Sequence, residues 1–178
     1  NVSDKEGNTL ITDKAEFDKI ANIISTFNNT KLLFDNGYQL ISSDIKYDNT
    51  NKIVSSKEKT SISDDEGNVI NAESFQYQLN KNLLSSIGKI EILDMNNNKY
   101  FFKELFIDTK RKEMVGSDVS VVLDNKNVDF NDENEPRFVA NDIFVSKNIT
   151  NLSKGVFTVC KLKEDKCPPW SIKAKKIT

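Results

Sequence analysis

A turn signal that returns every 30 residues constrains this chain more than any other feature. Gly7, Gly37 and Gly67 carry it, and Asn97 and Asn127 continue it at the same interval, each following or sitting among Asp, Asn or Glu. Gly and Asn accept the backbone that tight turns require. Five apolar columns keep the same period. They are Leu10, Leu40, Ile70 and Tyr100; Ala15, Ile45, Phe75 and Leu105; Phe17, Tyr47, Tyr77 and Ile107; Ile24, Val54, Leu84 and Met114; and Leu32, Ile62, Ile92 and Val122. Self-similarity at such a period marks stacked supersecondary units, so function belongs to an extended face or groove rather than a point.

Inside each unit the pattern alternates. Ile45 and Tyr47 are apolar between polar Asp44 and Lys46, and Phe75 and Tyr77 alternate with Ser74 and Gln76. This is the signature of a half-buried antiparallel strand. Turn clusters follow at Asp48 to Asn51 and at Asn80 to Asn82, then a second strand over 53–63 and over 83–93. One unit is therefore a hairpin. Residues 14–27 resemble a short helix, but their register with the other units assigns them to strand. Leu40 and Ile45 lie an odd number of residues apart, yet both recur as apolar columns. A straight strand would send them to opposite faces. A bulge or sharp bend near Ser43, Glu73 and Lys103 resolves the conflict, as would a sheet partly covered on both faces; the bend is preferred, since curved sheets need such devices.

The fifth unit is displaced by eight residues and resumes at Ala140 to Val145. That offset places Leu152 in the Ile24 column and Cys160 in the Leu32 column. The inserted residues 129–136 are acidic and loop-like, and they lack the central glycine and terminal glutamate of a calcium-binding EF-hand. Large aromatics in the columns disfavour a β-solenoid. The expected fold is all-β: an antiparallel jelly-roll sandwich, open at its ends, of roughly eleven strands with unpaired edges.

Several function classes are excluded by composition. The 178 residues contain no histidine, which removes Ser-His-Asp and Cys-His catalysis and the HExxH zinc site. A net charge of -2 supplies no overall field for nucleic acid. No P-loop is present, and the acids lie in turns and on polar strand faces. The two cysteines form neither a Cys-x-x-Cys redox pair nor a complete metal set. We expect no enzyme, no cofactor and no metal. Lys110-Arg111-Lys112 is a basic run at a hairpin turn, read either as a solvated turn or as a contact for lipid phosphates or sugar acids.

The last stretch departs from the repeat: Gly155-Val156-Phe157-Thr158-Val159-Cys160, a charged loop from Lys161 to Lys166, then Cys167-Pro168-Pro169-Trp170-Ser171-Ile172-Lys173-Ala174. Here the chain resembles the N-terminal periplasmic (OstA-like) domain of the lipopolysaccharide-assembly outer-membrane protein LptD. The second cysteine of the loop is similar to the alphaproteobacterial form. Upstream strands of the Ala72 to Tyr77 type resemble the same domain more loosely. The resemblance implies a twisted, open-ended β-jelly roll on the periplasmic side of the outer membrane of a Gram-negative bacterium. It would receive lipopolysaccharide and pass it to an outer-membrane barrel that continues the same chain beyond Thr178. Its partners would be a bridge jelly-roll protein stacked edge to edge and the barrel's plug lipoprotein. On this reading residues 1–160 are the jelly-roll repeats and 161–178 the junction towards the barrel.

Lipid-groove candidates are then Phe17, Ile45, Tyr47, Phe75, Tyr77, Leu105, Ile107, Ile62, Ile92 and Val122, each of which reads equally as ordinary core. Cys160 and Cys167 are disulfide candidates, with each other or with barrel cysteines. The cysteine that typical members carry near the mature N-terminus has no match here. Trp170 is a candidate for the junction. Two alternatives stand beside this reading: a separate soluble bridge protein of the same superfamily, and a structural β-repeat module of a surface protein with a dry, closed core.

Overall fold

The alternating segments form strands throughout. The computed structural model describes residues 1–124, 126, 134–160 and 170–178. Its strands are β1 (Val2–Ser3), β2 (Thr9–Asp18), β3 (Ile23–Leu33), β4 (Gln39–Ser42), β5 (Lys46–Asp48), β6 (Ile53–Ser56), β7 (Thr60–Ser63) and β8 (Val69–Ala72). They continue as β9 (Phe75–Gln78), β10 (Leu83–Leu93), β11 (Lys99–Asp108), β12 (Glu113–Val122), β13 (Arg137–Ser146), β14 (Ile149–Thr158) and β15 (Ile172–Ile177). All belong to one antiparallel sheet. Residues 14–27 are strand, turn and strand, as their register required.

The sheet is a meander of long passes, each folded across its middle. β4 with β5, β6 with β7, and β8 with β9 are the two halves of three broken passes, and nine further strands, the two-residue β1 among them, run unbroken. β3 shows the logic. Its second half pairs with β4 and its first half with β5. The break falls at Ser43 and at Glu73, where the parity of the columns demanded it. At Lys103 the strand itself continues, but its ladder to β12 skips Phe102 and Lys103. After the fold both Leu40 and Ile45 face inward, 1% and 2% exposed.

A crease frees backbone groups that must find partners. Buried hydroxyls supply them. Thr26 Oγ1 accepts the Ile45 N–H at 2.9 Å and a hydrogen bond from Thr30 Oγ1, also at 2.9 Å. Ser56 Oγ accepts the Glu58 N–H at 3.0 Å and shares a further hydrogen bond of 3.0 Å with Ser42.

Two rows of turns close the passes. The first holds Gly7, Gly37, Gly67 and Asn97 at φ 95°, 88°, 90° and 60°. The second, unmarked by glycine, holds Asn22, Lys52, Asn82 and Lys112 at φ 52–58° and keeps the same 30-residue beat. Within it, Asp18, Asp48 and Asp108 each accept two backbone N–H groups of their own turn. Successive turns are also tied to one another. Leu79 donates to the Lys52 carbonyl and Thr109 to the Asn82 carbonyl, each at 2.9 Å.

Asp48 provides a check on this turn chemistry. Hydrogen bonds from the Asn51 backbone and side chain hold its carboxyl below the ordinary 3.8. The stabilisation it contributes is complete above 3.8 and is lost as pH falls through the lower folded value. Titration followed by NMR is expected to place its midpoint below 3.8, and Asn51→Ala to raise it. An unshifted midpoint would show the turn open in solution.

The registers correct three expectations. The inner row through Leu32, Leu40, Ile62, Ile70, Ile92 and Tyr100 continues to Val121, Phe138 and Phe157, not to Val122 and Cys160. β10 and β11 shift register by one residue between Ile87 and Ile90, whereas β11 and β12 keep a single register through the crease. Without that extra residue Val121 turns inward, 4% exposed, and Val122 takes the opposite face. The β13–β14 turn then uses two residues, Lys147 and Asn148, where the equivalent turns use four. Thr150 consequently takes the place in the Ile24 row expected of Leu152, and Cys160 lies beyond the end of β14.

Candidate functional site

Folding each pass in half brings the two turn rows face to face as the lips of a V, with apolar rows between them. The core is filled along the middle: Leu40, Phe75, Tyr77 and Leu105 are each at most 5% exposed. Burying a side chain of this kind contributes about 1.5–3 kcal/mol.

Towards the N-terminal end lies a small apolar cleft of about 140 Å³, lined by Val2, Leu10, Ile24, Leu32, Ile45, Tyr47 and Val54 among others. Towards the C-terminal half lies a larger cleft of about 700 Å³. Ile62, Ile70, Ile92, Ile107 and Met114 line it, together with Tyr38 and Tyr100. The lips meet at two places. Asn36 donates to the Tyr77 hydroxyl at 3.3 Å, and Tyr77 is hydrogen-bonded to Thr109 at 2.9 Å. Phe34 packs edge to face on Tyr77 at 5.3 Å. Further along, the Lys112 ammonium is bonded to the Glu66 carboxylate and lies 3.9 Å from Asp65.

The larger cleft is polarised. Its first lip carries Asp64, Glu66 and Asp94, and its second carries Lys110, Arg111, Lys112 and Lys147 beside the acidic Glu113. Glu66 raises the pKa of Lys112 through their hydrogen bond. Burial, then the charge of Asp64, pushes the Tyr38 hydroxyl up to about 12. Burial, then Asp94, does the same to Tyr100, which donates to Asp94 at 3.0 Å. Both phenols therefore stay protonated near neutral pH.

The sequence-derived candidates divide accordingly. Ile62, Ile92 and Ile107 line the larger cleft, and Ile45 and Tyr47 the smaller one. Phe75, Tyr77 and Leu105 sit in the filled middle, 3%, 5% and 1% exposed, and border neither cleft. Phe17 pairs with Ile24 on the inner face but is 54% exposed, because it stands at the sheet's first edge, where β1 covers only Thr9 and Leu10. Val122 points away from the inner row. Trp170 lies against Phe157 with ring centroids 6.4 Å apart, and its carbonyl accepts from Thr158 Oγ1 at 3.0 Å. Cys167 lies outside the described residues, as do residues 129–133 of the insertion, and among the described residues Cys160 has no disulfide partner. The Cys160 carbonyl accepts from Arg137 at 2.5 Å.

The architecture has a solved counterpart. Over 64% of this chain and 83% of its own, LptH superposes with a TM-score of 0.56 at 13% identity. LptH is described as the LptA homologous periplasmic component of the conserved lipopolysaccharide transport device from Pseudomonas aeruginosa. The fold is an LptA-like β-jelly roll. No family model matches the chain, and no curated protein matches it by sequence. In this jelly roll the clefts are the gaps that open where the two halves of the folded sheet diverge.

Proposed function

We propose that this chain is a periplasmic lipopolysaccharide-transport jelly roll, which holds acyl chains between the halves of its folded sheet while the sugar head stays in water. The observation that carries the reading is the larger cleft: an opening of about 700 Å³, walled by Ile62, Ile92, Ile107 and Met114, in a fold shared with LptH. Apolar concavities with polar rims are where amphiphiles lose the most water-exposed hydrocarbon. Transport is passive on this reading, with direction supplied by other components.

In the finer form of the proposal the chain is the OstA-like domain attached to an outer-membrane barrel, with its plug lipoprotein and a stacked bridge jelly roll as partners. The stretch from Cys160 to Ala174 supports that form. A second form, a separate soluble bridge protein of the same superfamily, is equally compatible with the likeness to LptH. Barrel-type strands encoded directly after Thr178 would decide for the first.

The test is site-specific photocrosslinking in cells. A photoreactive residue at Ile107 or Met114 is expected to form an adduct with lipopolysaccharide, and one at Phe75, in the filled middle, is not. Absence of an adduct from every position of both clefts would sink the transport reading and favour a dry structural module.

A further inference from the structure

The basic turn between β11 and β12 stands on the rim of the larger cleft. Lys110, Arg111 and Lys112 border the opening, and Lys147 of the next turn joins them. Their commitments differ. Arg111 is held within its own turn by Asp108 and Glu113, at 3.6 Å and 3.9 Å. Lys112 reaches across the mouth to Glu66, 46 residues earlier in the chain. Lys110 and Lys147 have no ion pair and no side-chain hydrogen bond among the described residues.

Cations on one rim above an apolar floor form a two-part surface. A solvated turn gains nothing from overhanging Ile107 and Met114. An amphiphile whose anionic head lies beside its hydrocarbon matches both parts at once. Phosphate suits these cations better than carboxylate, since it carries more charge and offers several oxygens to separate ammonium groups. The Glu66 carboxylate on Lys112 is then a stand-in that closes the mouth when no head is present.

We infer that the rim formed by Lys110, Lys112 and Lys147 is a phosphate site for the head of an acylated ligand, and that the ligand's phosphate displaces Glu66 from Lys112. This rests on the transport reading above and adds to it a place for the head and a trigger for opening the lips. The displacement is an exchange of salt bridges, so no bond is made or broken covalently. The acyl chains would lie over Ile92, Ile107 and Met114, and the freed Glu66 would turn to solvent, where its lip is already exposed.

The experiment uses the full chain and fluorescent lipid A in two forms, diphosphorylated and enzymatically dephosphorylated, with binding read by fluorescence polarisation. The Lys110→Gln, Lys147→Gln double variant changes only exposed side chains and leaves the Lys112–Glu66 pair in place. It is expected to weaken the diphosphorylated lipid about tenfold, the size of one or two lost charge-assisted contacts, and to leave the dephosphorylated lipid unchanged. Glu66→Gln is expected to tighten the diphosphorylated lipid only, because the competing anion is gone. Added salt should weaken the diphosphorylated form selectively.

If both lipids bind wild type and double variant alike, the phosphate site is overturned and the transport reading stands. If the variant weakens both lipids equally, the lysines act on the fold or on hydrocarbon, and the site is again overturned. If inorganic phosphate displaces the lipid at the lipid's own working concentration, a free anion is the ligand and the head-group assignment falls. If neither lipid binds wild type, both readings fall together.

Discussion

Leu105→Ala is expected to cost about 3 kcal/mol of stability, the middle of the range for a large aliphatic side chain deleted from a packed core. In a chain of this length that corresponds to a fall in Tm of roughly 6–12 °C. Leu105 is 1% exposed, at the crease of the central pass, opposite Ser86 on one side and Gly116 on the other. Neither neighbour has the bulk to refill the space, so the void persists. The measurement separates two pictures of the interior. If the jelly roll were hollow along its whole length, Leu105 would already face a gap and its truncation would cost no more than about 1 kcal/mol of lost transfer energy. Ile107→Ala, two residues on and at the cleft wall, is the internal comparison and should cost less. A small loss at Leu105 would overturn the division between a filled middle and open clefts.

That division was only half legible in the chain. The columns are periodic, and periodicity reports which residues face inward. It does not report what stands opposite. Phe75 and Ile62 are equivalent by pattern, yet one is packed in the filled middle and the other borders an opening of about 700 Å³. The parity conflict between Leu40 and Ile45 located the crease because a strand's two-residue period sends residues an odd number apart to opposite faces, and a bend reunites them. The failures came where the repeat lost a residue without any composition signal. Nothing in the sequence marks that β11 and β12 pass the crease without a register shift, or that Lys147 and Asn148 close a turn in two residues. Val122, Leu152 and Cys160 were misplaced by those small deletions, one or two residues at a time. The glycine row was visible, but the second row of left-handed turns places lysine at 52 and 112 and carries no such flag.

The polarised mouth was the least legible element. Lys110-Arg111-Lys112 stood out as a run, but its meaning depended on Glu66 and Lys147, which no spacing connects to it. Folding the passes in half is what brings an acidic turn and a basic turn to one opening. The same charges, read along the chain, are ordinary solvated turns.

Gly116→Val is expected to be nearly as damaging as Leu105→Ala, at about 3 kcal/mol, the upper end for overpacking a filled interior. The reason is not backbone conformation. A Cβ at position 116 would stand 2.7 Å from Phe102 Cε1, closer still to Cδ1, and 3.3 Å from the Glu104 carbonyl. Phe102 is 4% exposed, and its ring lies where the β11–β12 ladder opens at the crease. It therefore cannot swing into solvent without emptying its own site. The glycine on β12 and the aromatic on β11 are a matched pair that lets the sheet fold sharply where no bulge assists. A double-mutant cycle tests the match. Phe102→Leu alone should destabilise by leaving a void, but combined with Gly116→Val it should recover part of the loss, giving a coupling of about 1 kcal/mol or more. Additive effects would show that the strain at Gly116 comes from the Glu104 backbone instead, and that Phe102 does not set the sharpness of the fold.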